Sequence, residues 1–128
     1  MPDADLLVVD ASVLAAVAFG EARADEAAAM LRGKRLVAPG LLRYEMSEVA
    51  RAKCLRRPQE VGAIMEQLDA AHRLPIYLQA PDWKTLTQLA LEAGLTVYDA
   101  AYLSLARSHG APLATFDRQL LAAANRVA

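Results

Sequence analysis

Asp5-Leu6-Leu7-Val8-Val9-Asp10-Ala11-Ser12 is the stretch that decides the fold. Four consecutive branched apolar residues run straight into an aspartate, and a helical pattern starts two residues later. Uninterrupted apolar runs of this kind belong to strands buried on both faces, in a parallel sheet covered by helices. Asp10 then stands at the carboxyl end of the strand, the edge where open α/β sheets bind ligands. A carboxylate carried there by an apolar strand is costly unless a cation or hydrogen-bond donors meet it.

Downstream, helix-like and strand-like stretches alternate. Ser12 is a suitable N-cap for a short helix through about Phe19, which Gly20 stops. Ala22 to Leu31 reads as an alanine-rich helix ended by Gly33, and Arg35 to Ala38 as a second strand closed by Pro39-Gly40. Leu41 to Arg56 follows as a long helix, and Pro58 falls in the first turn of the next, Gln59 to His72. Pro75 to Leu78 is a third strand, and Asp82 caps a helix that reaches Glu92 before Gly94. A helix from about Tyr98 to Ser108, a fourth strand Pro112 to Thr115 and a last helix Asp117 to Asn125 complete the pattern. Such alternation implies right-handed crossovers and a parallel sheet, here in one α/β domain over residues 1–128.

Bulk composition narrows the function classes. Fourteen Lys and Arg against fifteen Asp and Glu give a formal charge of -1, which argues against a surface that binds polyanions throughout. A local basic patch remains compatible with that balance. No apolar run of about 18 residues could span a bilayer, and no charged and apolar leader opens the chain. The single cysteine, Cys54, cannot form an internal disulfide, so a cytoplasmic protein is the simplest expectation.

Four carboxylates fall where this fold would gather them. Asp10 closes the first strand, Glu45 lies early in the helix after the second, Asp99 is in the first turn of the helix near Tyr98, and Asp117 follows the fourth strand. Singly, Asp99 reads as a carboxylate favoured by a helix dipole, Asp117 as an N-cap and Glu45 as an exposed helix residue. A chain that adds strands on one side of the first and then crosses to its other side puts Asp10 at the switch point, beside Asp117. Unit charges about 4 Å apart repel by roughly 4 kcal/mol at an effective dielectric of about 20. A cluster of this kind must hold protons or bind a cation. Oxygen ligands without His or Cys suit Mg²⁺ or Mn²⁺ rather than zinc, and such metals orient water and stabilise charge on phosphoryl groups.

Val8-Val9-Asp10-Ala11-Ser12, Tyr44-Glu45, Leu95-Thr96-Val97-Tyr98-Asp99-Ala100-Ala101-Tyr102 and Thr115-Phe116-Asp117, in this order and spacing, resemble a PIN domain of the VapC toxin type. The resemblance covers nearly the whole chain. It implies a PIN-like α/β domain with a central parallel sheet of four or five strands flanked by helices. It also implies a Mg²⁺- or Mn²⁺-dependent endoribonuclease, usually the toxin of a toxin–antitoxin pair. Asp10, Glu45, Asp99 and Asp117 match the family's catalytic and metal-binding quartet, and Ser12 and Thr115 its supporting hydroxyls. Implied partners are an RNA substrate, a cognate antitoxin and a second copy of the chain, with the helices at Ala22 to Leu31 and Leu41 to Arg56 as candidate dimer faces. One departure stands out. Many family members add a fifth, edge strand after the last helix, whereas Asn125-Arg126-Val127-Ala128 leaves that strand absent or vestigial.

Other residues carry weaker signals. Arg51, Lys53, Arg56 and Arg57 crowd the end of the long helix, where they read first as a solvated cationic face and second as a track for an RNA backbone. Arg118 could reach a phosphate or pair with an acid. Glu48, one turn beyond Glu45, reads as a surface residue before a metal assistant. His72 and His109 lack partners at metal spacing, Cys54 reads as a semi-buried core residue, and Trp83 as packing at a helix start. Asp3 and Asp5 read as tail and strand-start residues. Among other classes, a receiver-like phospho-acceptor domain would want an acidic pair and a strand-end lysine that this chain lacks. A haloacid-dehalogenase-like phosphatase would want an aspartate where Ser12 stands. A catalytically silent PIN-like binding module is the remaining alternative.

Overall fold

The computed structural model describes residues 5–127, which leaves Asp3 outside the described residues. The elements are β1 (Leu6–Val9), α1 (Ala11–Ala18), α2 (Ala24–Leu31), β2 (Arg35–Ala38), α3 (Leu41–Arg56), α4 (Val61–His72), β3 (Ile76–Leu78), α5 (Trp83–Ala93), α6 (Val97–His109), β4 (Leu113–Ala114) and α7 (Arg118–Val127). A short 3₁₀ turn at Pro58–Glu60 joins α3 to α4, so Pro58 opens that turn and not α4 itself. Among the described residues all four strands are parallel, in the order β3-β2-β1-β4. The chain therefore builds outward through β2 and β3 and returns to the other side of β1 for β4, and the switch point falls at β1. Leu6, Leu7 and Val8 stand opposite Arg35, Leu36 and Val37, while Val8 and Val9 stand opposite Leu113 and Ala114.

Both faces of β1 are covered. Adjacent residues of a strand point to opposite faces, yet Val8 and Val9 are both fully buried. Helix α6 lies across β1, β2 and β4 with α5 and α7 beside it, while α1, α3 and α4 pack on one another. Its buried residues Ala100, Ala101, Leu103, Leu105 and Ala106 alternate small and large side chains, which lets α6 approach the sheet closely. Tyr102 of the same helix is buried as well. Gly94 and Gly110 end α5 and α6 in the left-handed conformation that glycine adopts without steric cost.

Several helix starts differ from the sequence expectation. Asp10, not Ser12, is the N-cap of α1: its carboxylate accepts the Val13 N–H, and Ser12 lies within the first turn. Both residue types cap well, and Asp10 takes the position because its strand delivers it there. Helix α2 begins at Ala24, two residues later than expected, and α6 begins at Val97 with Thr96 as its cap. Strand β4 is limited to Leu113–Ala114, because the Thr115 side chain is drawn to Asp10 and the backbone turns there.

Candidate active site

Asp10 is a buried side chain at the tip of the central strand. Its Oδ1 accepts hydrogen bonds from the Ser12 hydroxyl at 2.6 Å and the Val13 N–H at 3.2 Å. Its Oδ2 accepts from the Thr115 hydroxyl at 2.5 Å. Each hydroxyl in turn accepts a backbone N–H from the turn after β4: Phe116 donates to Ser12 Oγ at 2.9 Å, and Asp117 to Thr115 Oγ1 at 3.0 Å. Because those N–H groups occupy the acceptor sides, the hydroxyl protons are directed at Asp10. Two relays thus clamp the β4–α7 turn to the end of β1, and they meet the desolvation cost that a strand-end carboxylate otherwise carries.

The other three carboxylates are held by their own helices. Asp117 is exposed and caps α7, accepting the Leu120 N–H at 2.9 Å. Asp99 is partly buried in the first turn of α6, and its N–H is capped by Thr96 Oγ1 at 3.1 Å. Glu45 is partly buried on α3 and accepts a hydrogen bond from the Tyr102 hydroxyl. Burial raises the Glu45 carboxyl above its ordinary range; the Tyr102 bond opposes the rise, and the charges of Asp10 and Asp99 add to it. Asp99 is likewise raised, first by burial and then by Asp117 and Asp10, against the Thr96 hydrogen bond. Burial and the adjacent Glu45 push the Tyr102 phenol far above the usual tyrosine range, so it remains a donor.

Glu45 and Asp99 therefore lie in one negative field centred on Asp10, with Asp117 joining through Asp99. No cation figures among the groups that shift either of them. Among the described residues, no three His, Cys, Asp or Glu side chains converge as a ready-made metal cage. Coupling without contact is what Coulomb repulsion imposes on carboxylates that share no counter-charge. The all-oxygen donor set around the hydrogen-bonded Asp10 has the chemistry that suits a hard divalent cation. A groove of about 450 Å³ runs beside Ser12 and Glu45, lined also by Glu21, Glu48 and Val49.

The other sequence candidates are scattered. Lys53 is buried and paired with Glu21 at 2.7 Å, so it is not the solvated cation that the sequence suggested. Arg51 pairs with Glu48 at 3.1 Å, Arg57 lies 3.9 Å from Glu60, and Arg56 and Arg118 are exposed. Glu48 is an exposed partner of Arg51 at the rim of the groove. His109 Nε2 meets Gln79 Oε1 at 2.6 Å, whereas His72 Nε2 is buried without a hydrogen-bond partner. Trp83 does not pack at its helix start; it is 68% exposed. Tyr102 is the site contact that sequence reasoning missed. Its position three residues after Asp99 placed it on the same face of α6, which was the available signal.

The sequence profile of the PIN domain matches residues 7–126, and the chain belongs to the PIN-domain family. Within that family it is of the VapC type. It is 37% identical over 119 residues to Ribonuclease VapC3 of Pyrobaculum aerophilum, an alignment covering 89% of this chain and 91% of the relative. A 45-residue segment, 35% of the chain and 34% of the relative, is 47% identical to a protein named Exonuclease VapC9 from the same organism. The crystal structure of PAE2754, also from Pyrobaculum aerophilum, superposes with a TM-score of 0.78 at 30% identity, over 96% of this chain and 87% of that one.

Proposed function

We propose that this protein is a Mg²⁺- or Mn²⁺-dependent endoribonuclease and the toxin of a toxin–antitoxin pair. The observation that carries the reading is the placement of the carboxylates at the carboxyl edge of a parallel sheet: Asp10 held by Ser12 and Thr115, Asp117 on the turn so clamped, and Glu45 bonded to Tyr102 of the helix that starts beside Asp99. The similarity to a ribonuclease along nearly the full chain supports it. Asp10, Asp99 and Asp117 would hold the cation, with Glu45 closing from α3. When bound, the cation supplies Lewis-acid polarisation of a phosphoryl oxygen and an acidified water. The chain's own residues do the rest. Ser12 and Thr115 fix the Asp10 carboxylate, Tyr102 orients Glu45, and Thr96 sets the α6 start that presents Asp99.

The test uses Asp99→Asn, which keeps shape and the Thr96 cap. The variant should unfold at the wild-type urea midpoint or above, since it removes a charge from a repulsive cluster. Cleavage of RNA should fall by at least about 100-fold, and a chelator should abolish wild-type cleavage. Undiminished cleavage in both experiments would defeat the reading. A folded wild-type chain that cleaves no RNA with either metal would instead favour the silent binding module.

The partners follow from the same reading. An RNA substrate and a cognate antitoxin come with the toxin role, and both would be met in the cytoplasm. Among the described residues no helix is long and apolar enough to cross a membrane. A second copy of the chain has a face suited to it that begins on α3, one of the two candidate dimer helices, and continues onto α5 and α6. Tyr44, Trp83 and Tyr98 are each at least 64% exposed around an uncharged groove of about 450 Å³ that also includes Leu41, Pro81 and Val97. Aromatic side chains present about 150–250 Å² each, so three of them at this exposure supply roughly half of the ~800 Å² a standard interface needs per partner.

A further inference from the structure

We infer that Arg23 binds a phosphate of the RNA strand next to the one being cleaved; the inference rests on the nuclease reading and adds to it a cation fixed beside the acidic centre. The Arg23 guanidinium lies over the Phe116 ring, 3.7 Å from its centroid. Its Nε and Nη2 donate to the two oxygens of Glu26 at 2.9 and 2.8 Å. A guanidinium has five N–H groups, and Glu26 takes two of them, which leaves the Nη1 edge and one Nη2 proton for another acceptor. The side chain is about half exposed, so that edge is accessible.

The place where this cation is held matters more than its presence. Phe116 sits between Thr115 and Asp117, and its own N–H is bound to Ser12 Oγ. The guanidinium therefore rests on the same turn that the two hydroxyl relays clamp to Asp10. Four carboxylates repel a polyanion, so RNA needs positive charge at the rim of the site as well as a metal at its centre. The other basic side chains serve less well. Lys53 is buried against Glu21; Arg51 and Arg57 make i,i+3 pairs like that of Arg23, but among the described residues neither they nor the exposed Arg118 beside Asp117 rests on an aromatic ring that fixes its direction. An exposed pair such as Arg23–Glu26 contributes little to stability by itself, but ring and carboxylate together fix the rotamer and reduce the entropy cost of binding an anion.

The test measures binding of a fluorescein-labelled single-stranded RNA in Mg²⁺ to the Asp99→Asn protein, with and without Arg23→Gln, across a salt series. Arg23→Gln should weaken binding about 5- to 10-fold at low salt and lower the slope of log K against log salt by about 0.7, the value for one lost phosphate contact on a single strand. Arg23→Lys should restore most of the slope with less of the affinity, because a point charge replaces a planar fork. Urea midpoint and Mg²⁺ affinity should be unchanged by Arg23→Gln. An unaltered slope, or the slope change appearing in Arg118→Gln and not in Arg23→Gln, would overturn the inference. So would absence of RNA binding in every variant. Metal-dependent cleavage by the wild-type chain, measured in parallel, reports on the nuclease reading separately: if cleavage stands and the slope does not move, only the role of Arg23 fails.

Discussion

Thr115→Val removes one hydroxyl and nothing of the shape around it, so it isolates the relay between β4 and Asp10. Two hydrogen bonds disappear together. One is the bond to the buried Asp10 carboxylate, of a kind that contributes about 1.5–3 kcal/mol when an acceptor is charged. The other leaves the Asp117 N–H without its side-chain acceptor, a loss nearer ~1 kcal/mol because this turn is only partly buried and water can replace the hydroxyl. The expected cost is about 2–4 kcal/mol, a large share of the roughly 5–15 kcal/mol that holds a small domain folded. Equilibrium urea unfolding followed by circular dichroism would read it as a lower midpoint at constant slope. Because Thr115 orients a proposed metal ligand without being one, Mg²⁺ affinity or cleavage should fall about 10- to 100-fold. Thr115→Ser should recover both. If Thr115→Val keeps the wild-type midpoint and metal affinity, the relay does not hold Asp10 and the assignment of Thr115 as a positioning residue is wrong.

Other consequences are as direct. Glu21→Ala leaves the buried Lys53 without its partner and should cost about 2–4 kcal/mol in urea unfolding, whereas Lys53→Met should be close to neutral, since an apolar residue of similar volume needs no counter-charge. Burial, with Arg43 adding to it, lowers the His72 pKa below its ordinary value of 6.5. The unfolded chain then binds the proton more readily than the folded one, so stability should be full above about pH 6.5 and decline as pH falls through the lowered value; His72→Leu should flatten that decline. Trp83→Glu places a charge in the uncharged aromatic groove and should convert any dimer to monomer by sedimentation without lowering the urea midpoint of the monomer. A monomeric wild-type chain, or a variant that remains dimeric, would remove that face from consideration.

The architecture was largely legible because local signals agree with one another. An unbroken apolar run announced β1, paired turn residues closed β2, and glycines ended α5 and α6. The contacts that finish the site were not legible, since they join distant residues. Tyr102 and Glu45 are 57 positions apart, and Thr115 and Asp10 are 105 apart. No periodicity within one element reports such pairs. Lys53 is a different kind of miss. Met46, Ala50 and Lys53 fall on one stripe of α3 at helical spacing, so periodicity pointed inward while the charge suggested water. The ion pair with Glu21 settles the conflict in favour of the stripe. Trp83 shows the converse: it shares the stripe of Leu86 and Ala90 at helical spacing, yet as the first residue of α5 it stands at the rim of the core and is exposed.

The clamp between the first and last strands also has a meaning in time. Asp10 is synthesised 105 positions before Thr115, the residue that fixes its second carboxylate oxygen, and the turn through Asp117 follows later still. The central strand β1 can pair with β2 beforehand, but its other edge stays open until β4 arrives. The carboxylate at the tip of β1 therefore reaches its final setting only after the segment from β2 to β4 has been made, so the acidic centre is among the last features of this domain to form.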